Sequence, residues 1–215
     1  MQINFTSFNF KAGTETAAEE RHYFDYHVEL AKKLPGLRMY LTGKFIERGG
    51  HKPDHYRAAI LAFDGAEAAG VAMNSEVGRE VRADGAAHLA DIRPLALNAR
   101  IIIPFAVRSG ELLLMAAEFD LETGTDSVEV ADRRYLEKHT TLARQLPGLR
   151  FYATGRLFEN RGLEPDRLRC AILAFDSAEA LRDAYRAPVG QELRKDEEAT
   201  IRNARIHRLE AGIEV

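Results

Sequence analysis

The chain has 215 residues, of which 46% are hydrophobic and 29% charged, and a formal net charge of −3. That balance fits one large folded domain or two of about 100 residues and excludes a disordered chain, and the interleaving of basic with acidic residues leaves no nucleic-acid footprint. The single cysteine, Cys170, rules out an internal disulfide and a zinc–thiolate cluster, and with no basic-then-apolar leader and no apolar run near the ~20 residues of a membrane span the expectation is a cytoplasmic protein with no membrane partner.

In chain order, Ile3–Phe10 alternates apolar with polar residues at its start and reads as a strand. Thr16 to Lys33 reads as a helix with Tyr23, His27, Leu30 and Leu34 on one stripe, a Thr16/Glu19 capping box at its start, and Pro35-Gly36 as its stop. Leu37–Phe45 reads as a second strand, with Leu37, Met39 and Leu41 on one face and Arg38, Tyr40 and Thr42 on the other. After the turn-rich ERGGHKPDH, the apolar run Tyr56–Phe63 predicts a strand buried on both faces. Asp64 is a candidate cap for a short Ala-rich helix, a further helical stretch follows Gly78, and Ala99–Val107 closes the series as a strand whose Pro104 suits an edge or an end.

The same series then recurs. At an offset of 112, Leu30–Arg48 matches Leu142–Asn160 at eleven of nineteen positions without a gap, and RAAILAFD (Arg57–Asp64) matches RCAILAFD (Arg169–Asp176) at seven of eight. Asp84 falls on Asp196; beyond it, aligning NAR at Asn98–Arg100 with NAR at Asn203–Arg205 gives the first copy seven extra residues. The predicted architecture is α+β: two ferredoxin-like βαββαβ units, residues 1–108 and 109–215. Each unit covers one face of its sheet with helices, so the two bare apolar faces are expected to pack together as an internal pseudo-dimer, with further self-association left open.

The pattern H-x7-P-G-L-R-x-Y, then AILAFD, an Ala-rich helix and V-G-x-E, present once per half, resembles the EthD family of the dimeric α/β-barrel superfamily. The resemblance implies a barrel fused in one polypeptide. It leaves the activity open, because the superfamily includes cofactor-free monooxygenases, cyclases, isomerases, dehydratases and haem enzymes.

Candidate site residues come in repeated pairs. His27 and His139 each lie on the apolar stripe of their helix, beside Tyr23 and Tyr135. Such a histidine is ordinarily a satisfied core residue, but it recurs in both halves and matches the histidine that the resemblance implies as acid/base; facing a cavity, it moves a proton near pH 7 without a cofactor. Tyr40 and Tyr152, thirteen residues on, match the tyrosine that hydrogen-bonds a substrate oxygen in isomerase and dehydratase relatives. Arg38 and Arg150 share the strand face with these tyrosines; they can bind a substrate carboxylate or pair with a neighbouring acid, and Tyr23 and Tyr135 are candidate substrate contacts. His51 and His55 flank Pro53 in a spacing that does not converge two rings, so no metal is expected, nor any cofactor.

Two classes of function stay open. One is a cofactor-independent isomerase, dehydratase or cyclase acting on a small hydrophobic or aromatic oxygenated metabolite. The other is a non-catalytic binding or accessory protein for oxidative catabolism of such a compound. A cofactor-free monooxygenase is the weaker third, since relatives of that kind often use a tryptophan and this chain has none. The first half is the preferred site, on the expectation that Gly85–Leu97 forms a lid.

Overall fold

In the computed structural model, residues 1–13, 15–47, 49–105 and 110–215 are described. The first run is β1 (Gln2–Phe10), helix α1 (Thr16–His22, continued by Tyr23–Val28 and Glu29–Ala31), β2 (Leu37–Phe45), β3 (Arg57–Phe63), α2 (Ala66–Asn74), α3 (Glu76–His88) and β4 (Leu89–Ile103). The second repeats it as β5 (Glu111–Leu121), helix α4 (Val128–Arg134, continued by Tyr135–His139 and Thr140–Ala143), β6 (Leu149–Phe158), β7 (Arg169–Phe175), α5 (Ala178–Arg186), α6 (Pro188–Thr200) and β8 (Ile201–Ile213). The expected division at residues 108 and 109, and the last two residues of the expected strand Ala99–Val107, lie outside the described residues.

All neighbouring strands are antiparallel, in the closed order β1-β3-β2-β8-β5-β7-β6-β4. Each βαββαβ run keeps the ferredoxin-like order, and the two sheets join at two seams, β2 with β8 and β4 with β6. The barrel interior holds one apolar cluster drawn from all eight strands, with Phe5, Leu41, Ile60 and Leu97 meeting Leu114, Phe151, Ile172 and Leu209. The helices lie outside and form a separate apolar cluster with each sheet's outer face. Period-2 alternation therefore puts large side chains on both faces of every central strand, the reason Arg57–Phe63 and Arg169–Phe175 read as continuous apolar runs. No helix among the described residues is long and apolar enough to cross a membrane.

Glycine makes the seams possible. A Cβ at Gly43 would lie 2.8 Å from Ala211 Cβ and 2.9 Å from Glu210 O across the first seam. One at Gly155 would collide with the Asn98 carbonyl across the second. These are the glycines of the repeated TG dipeptide, 112 residues apart. One mouth of the barrel is closed by charge: Glu118 of β5, 1% exposed, accepts hydrogen bonds from Arg93 of β4 at 2.8 and 2.6 Å and from His207 of β8 at 3.2 Å. Burial opposes that charge, but these donors outweigh it and hold the carboxyl at about 2.

Several local expectations are corrected. Helix α1 comprises Thr16–His22, a π-helical stretch Tyr23–Val28 and a last turn Glu29–Ala31. Its cap is Glu15 with no side-chain bond, because Glu19, the expected capping-box partner of Thr16, is buried against His88 Nδ1 at 3.0 Å. Helix α4 has the same build: Val128–Arg134, a π stretch Tyr135–His139 and Thr140–Ala143. The cap of α2 is Gly65, since Asp64 is engaged by Arg38. A bulge between Leu37 and Met39 turns Leu37 to the helix side, while Met39 and Leu41 face the barrel interior. The seven extra residues that the NAR match gives the first copy do not exist. Asp91 and Asn203, both with positive φ (50° and 52°), stand 112 apart at matching points of β4 and β8, so the offset runs on without a gap and the two NAR triplets are unrelated. Accordingly Gly85–Leu97 is the end of α3 and the start of β4, not a lid.

Candidate functional site

Between α1, α2, α3 and the outer face of the first sheet lies a cavity of about 760 Å³ with His27 and Tyr40 on its wall. The first helix delivers His27 through the π stretch, whose extra residue per turn shifts the ring relative to a regular α-helix. The imidazole stacks on Tyr23 (centroids 5.2 Å apart, 17° between planes) and its Nδ1 lies 2.7 Å from Asp84 Oδ2.

Burial opposes the Asp84 charge, but hydrogen bonds from His22 and His27 prevail and hold the carboxyl below its ordinary value. An ionised carboxylate only accepts, so Nδ1 of His27 carries the proton and Nε2 the lone pair, on a ring that forms part of the cavity wall. Burial, only partly offset by Asp84, lowers the pKa of His27, so the ring is neutral and basic near pH 7.

Tyr40 ends a chain of hydroxyls. Thr42 Oγ1 donates to Ala58 O at 3.0 Å, so Tyr23 Oη, 3.0 Å from Thr42, is the donor of that contact. Tyr40 Oη, 3.0 Å from Tyr23 Oη, then donates in turn. Burial, with the Tyr23 hydroxyl, pushes the Tyr40 phenol well above its ordinary value, so it acts as a hydrogen-bond donor or acceptor and not as a base.

Position for position the second half repeats this machinery. His139 Nδ1 lies 3.0 Å from Asp196 Oδ2, and Tyr152, Tyr135 and Thr154 form the same chain. Yet neither His139 nor Tyr152 lines the corresponding cavity of about 530 Å³. Where the first half has Gly70, Met73, Gly85 and Ala86, the second has Arg182, Tyr185, Glu197 and Glu198. Tyr185 Oη donates to Glu197 Oε1 at 3.0 Å and plugs the space beside the histidine. At Gly85, by contrast, a Cβ would meet His27 Cε1 at 3.8 Å: that glycine is what leaves the ring uncovered.

Arg38 and Arg150 stand apart from both cavities. Each forks onto an aspartate at the exposed strand end, Arg38 to Asp64 at 2.5 Å and Arg150 to Asp176 at 2.6 Å, the acid pairing weighed against substrate binding. The β2 bulge carries Arg38 out of line with Tyr40. Tyr23 and Tyr135 are fully buried behind the histidines and do not line the cavities either. His22, Asp84 and His88 each bring one ligand atom within 4.8 Å of the others, a spacing a divalent cation can bridge; here Asp84 is taken up by the N–H groups of His22 and His27. His55 is turned to the Asp91 carbonyl at 2.9 Å.

Sequence reasoning did not assign Asp84 its role, although the Asp84/Asp196 match was visible. It also passed over Gly85, whose only signal is a contrast with Glu197, and Arg82 and Arg161, which line the cavity without any repeated motif.

No family model matches the chain, and no curated protein matches it in sequence. Solved structures do. A provisionally named monooxygenase from Fusobacterium nucleatum aligns over 98% of this chain and 91% of its own, at 11% identity and a TM-score of 0.71. Another from Lactobacillus acidophilus aligns over 98% and 93%, at 12% identity and 0.68. An anthrone oxidase-like protein aligns over 98% and 90%, at 12% identity and 0.61. An EthD family protein from Bacillus halodurans spans 45% of this chain and 96% of its own at 23% identity, with a TM-score of 0.37 that is too low to weigh. At these identities the likeness is one of fold: the chain has the dimeric α/β-barrel architecture, closed within a single polypeptide.

Proposed function

We propose that the chain is a tandem pair of EthD-like units, divided near residues 108 and 109, and a cofactor-independent proton-transfer enzyme of the cytoplasm. Its substrate is a small hydrophobic oxygenated metabolite, and its working site is the first-half cavity. One observation carries this reading: a neutral histidine, oriented by a half-buried aspartate, forms part of the wall of a large cavity beside a tyrosine hydroxyl. His27 Nε2 takes a proton from the carbon next to a carbonyl. The C–H electron pair becomes the new C=C bond, and the carbonyl π pair moves onto oxygen. Tyr40 turns its O–H from Tyr23 to that oxygen, exchanging one neutral hydrogen bond of about 1 kcal/mol for one to an anion. Asp84 steadies the imidazolium, which returns the proton to another atom of the product. Dioxygen adding to the same enolate would turn the outcome into an oxygenation, the chemistry named for two of the neighbours.

A carrier is the second reading. It is favoured by the hydroxyl chain, which aims the Tyr40 proton away from the cavity. Solvent exchange separates the two. Anthrone and related enolisable aryl ketones, incubated with the protein in D2O without oxygen and followed by NMR, are expected to exchange the acidic C–H above the buffer rate. His27→Ala is expected to remove about 10²-fold or more of that excess. Binding without exchange by wild type, unaffected by His27→Ala, would establish the carrier instead.

A further inference from the structure

The His27 cavity has two permanent charges on its lining, and both are positive: Arg82 of α3, and Arg161 from the connection between β6 and β7. No aspartate or glutamate lines it among the described residues. Arg82 donates through Nη1 to the Met73 carbonyl, which anchors one end of its guanidinium and leaves Nε and Nη2 for a ligand, and neither Arg82 nor Arg161 is held in an ion pair among the described residues. Two like charges on the wall of one cavity repel, and an anion brought between them relieves that penalty. Arg161 as a residue is exposed, but its head lies at the cavity rim. Burial there, and the neighbouring charge of Arg82, hold its pKa below the ordinary arginine value.

The backbone at Arg161 supplies a separate indication. Asn160 and Leu163 exchange backbone hydrogen bonds at 3.1 Å, and the two residues between them, Arg161 and Gly162, have φ of 54° and 79°. This is a tight two-residue hairpin in the left-handed region, where glycine is at home and a long side chain costs about 1 kcal/mol. The matching residues of the first half are Gly49 and Gly50, with φ of 59° and 81°. An arginine thus stands where the sister turn uses glycine, and its side chain reaches into the other half's cavity. Exposed Phe158 and Ile92 flank the same mouth, so the charge pair is set in an apolar rim.

We propose that Arg82 and Arg161 form a carboxylate clamp at the mouth of the His27 cavity, making its ligand a hydrophobic, aromatic-sized carboxylic acid that enters with its apolar body first. This rests on the proposed function only for the identity of the cavity, not for any chemistry at His27. Fluorescence titration of the full-length chain at low salt with anthracene-2-carboxylate, and in parallel with anthracene-2-carboxamide, tests it. The carboxylate is expected to bind at least about tenfold more tightly than the amide, as befits hydrogen bonds to a charged group. That preference should shrink toward unity in Arg82→Gln and in Arg161→Gly, the latter a change that relaxes the turn and so keeps the fold. His27→Ala should keep the preference while losing anthrone exchange, so the clamp and the proton-transfer reading fail separately. Equal affinity of wild type for the two probes, no binding of either, or a preference untouched by both arginine variants overturns the clamp.

Discussion

Replacing Glu118 by glutamine tests whether the two sheets are held across the barrel mouth by charge. The side chain is 1% exposed, and Arg93 and His207, its hydrogen-bond donors, come from strands of different units. Its pKa falls from 4.5 to about 2. At about 1.4 kcal/mol for each tenfold change, that difference is worth about 3 kcal/mol of folding stability at pH 7. Because the folded-state value is the depressed one, the contribution is complete above pH 4.5 and is lost as pH falls through about 2. Glutamine imitates the protonated acid. The stability gap between wild type and Glu118→Gln should therefore narrow from about 3 kcal/mol at pH 7 to about 1 kcal/mol at pH 3. Urea unfolding of both proteins across that range measures it, and at pH 7 the melting temperature should differ by about 6–12 °C. A gap of the same size at pH 7 and pH 3 would refute the charge argument and leave only a packing defect.

Three further outcomes are expected. Gly85→Glu transplants the plug of the second half and should abolish anthracene-2-carboxylate binding in fluorescence titration, whereas Gly85→Ala, whose Cβ makes only ordinary contacts, should keep it and gain about 0.5–1 kcal/mol of stability. Gly155→Ala should cost about 1–3 kcal/mol by urea unfolding and Gly43→Ala less, because the obstruction at Gly155 is backbone whereas at Gly43 part of it is the Ala211 methyl. Both histidines of the carboxylate pairs have pKa values lowered by burial, so the unfolded chain protonates first and stability should drop as pH falls through about 6.5. His27→Gln should lessen that drop in melting curves taken from pH 7 to 5, and an unchanged slope would count against a neutral buried ring.

The architecture was legible because it was stated twice. A gapless repeat of strand, helix and turn signals, with apolar residues on both faces of Arg57–Phe63, leaves few arrangements other than two sheets packed face to face. The stripe of α1 likewise put His27 inward. What escaped depended on geometry that periodicity does not encode. One π stretch rotates a helix face, and one bulge at Arg38 sends a guanidinium to Asp64 that alternation had placed beside Tyr40. The NAR coincidence displaced the last strand's alignment and created a lid that does not exist. The difference between an open and a plugged cavity lies in unlike residues at matching positions, Gly85 against Glu197 and Met73 against Tyr185, and a search for likeness passes over it. Arg161 belongs to one repeat in sequence and to the other's cavity in space.

Closure of the barrel also sets the order in which the chain can become safe during synthesis. Leu41 of β2 pairs with Ile213 of β8, so the first seam waits until the last strand of the barrel has left the ribosome. Until then β2 is a bare edge, β4 is one until β6 has been made, and before the second sheet forms the inner face with Phe5, Leu41 and Leu97 has no cover. A nascent first unit is thus a sticky half-shell whose natural mate has not yet been translated, while identical half-shells on neighbouring ribosomes already have been. Pairings so distant in sequence are slow to form, and they give chaperones a window in which to keep copies apart until the cognate strand arrives.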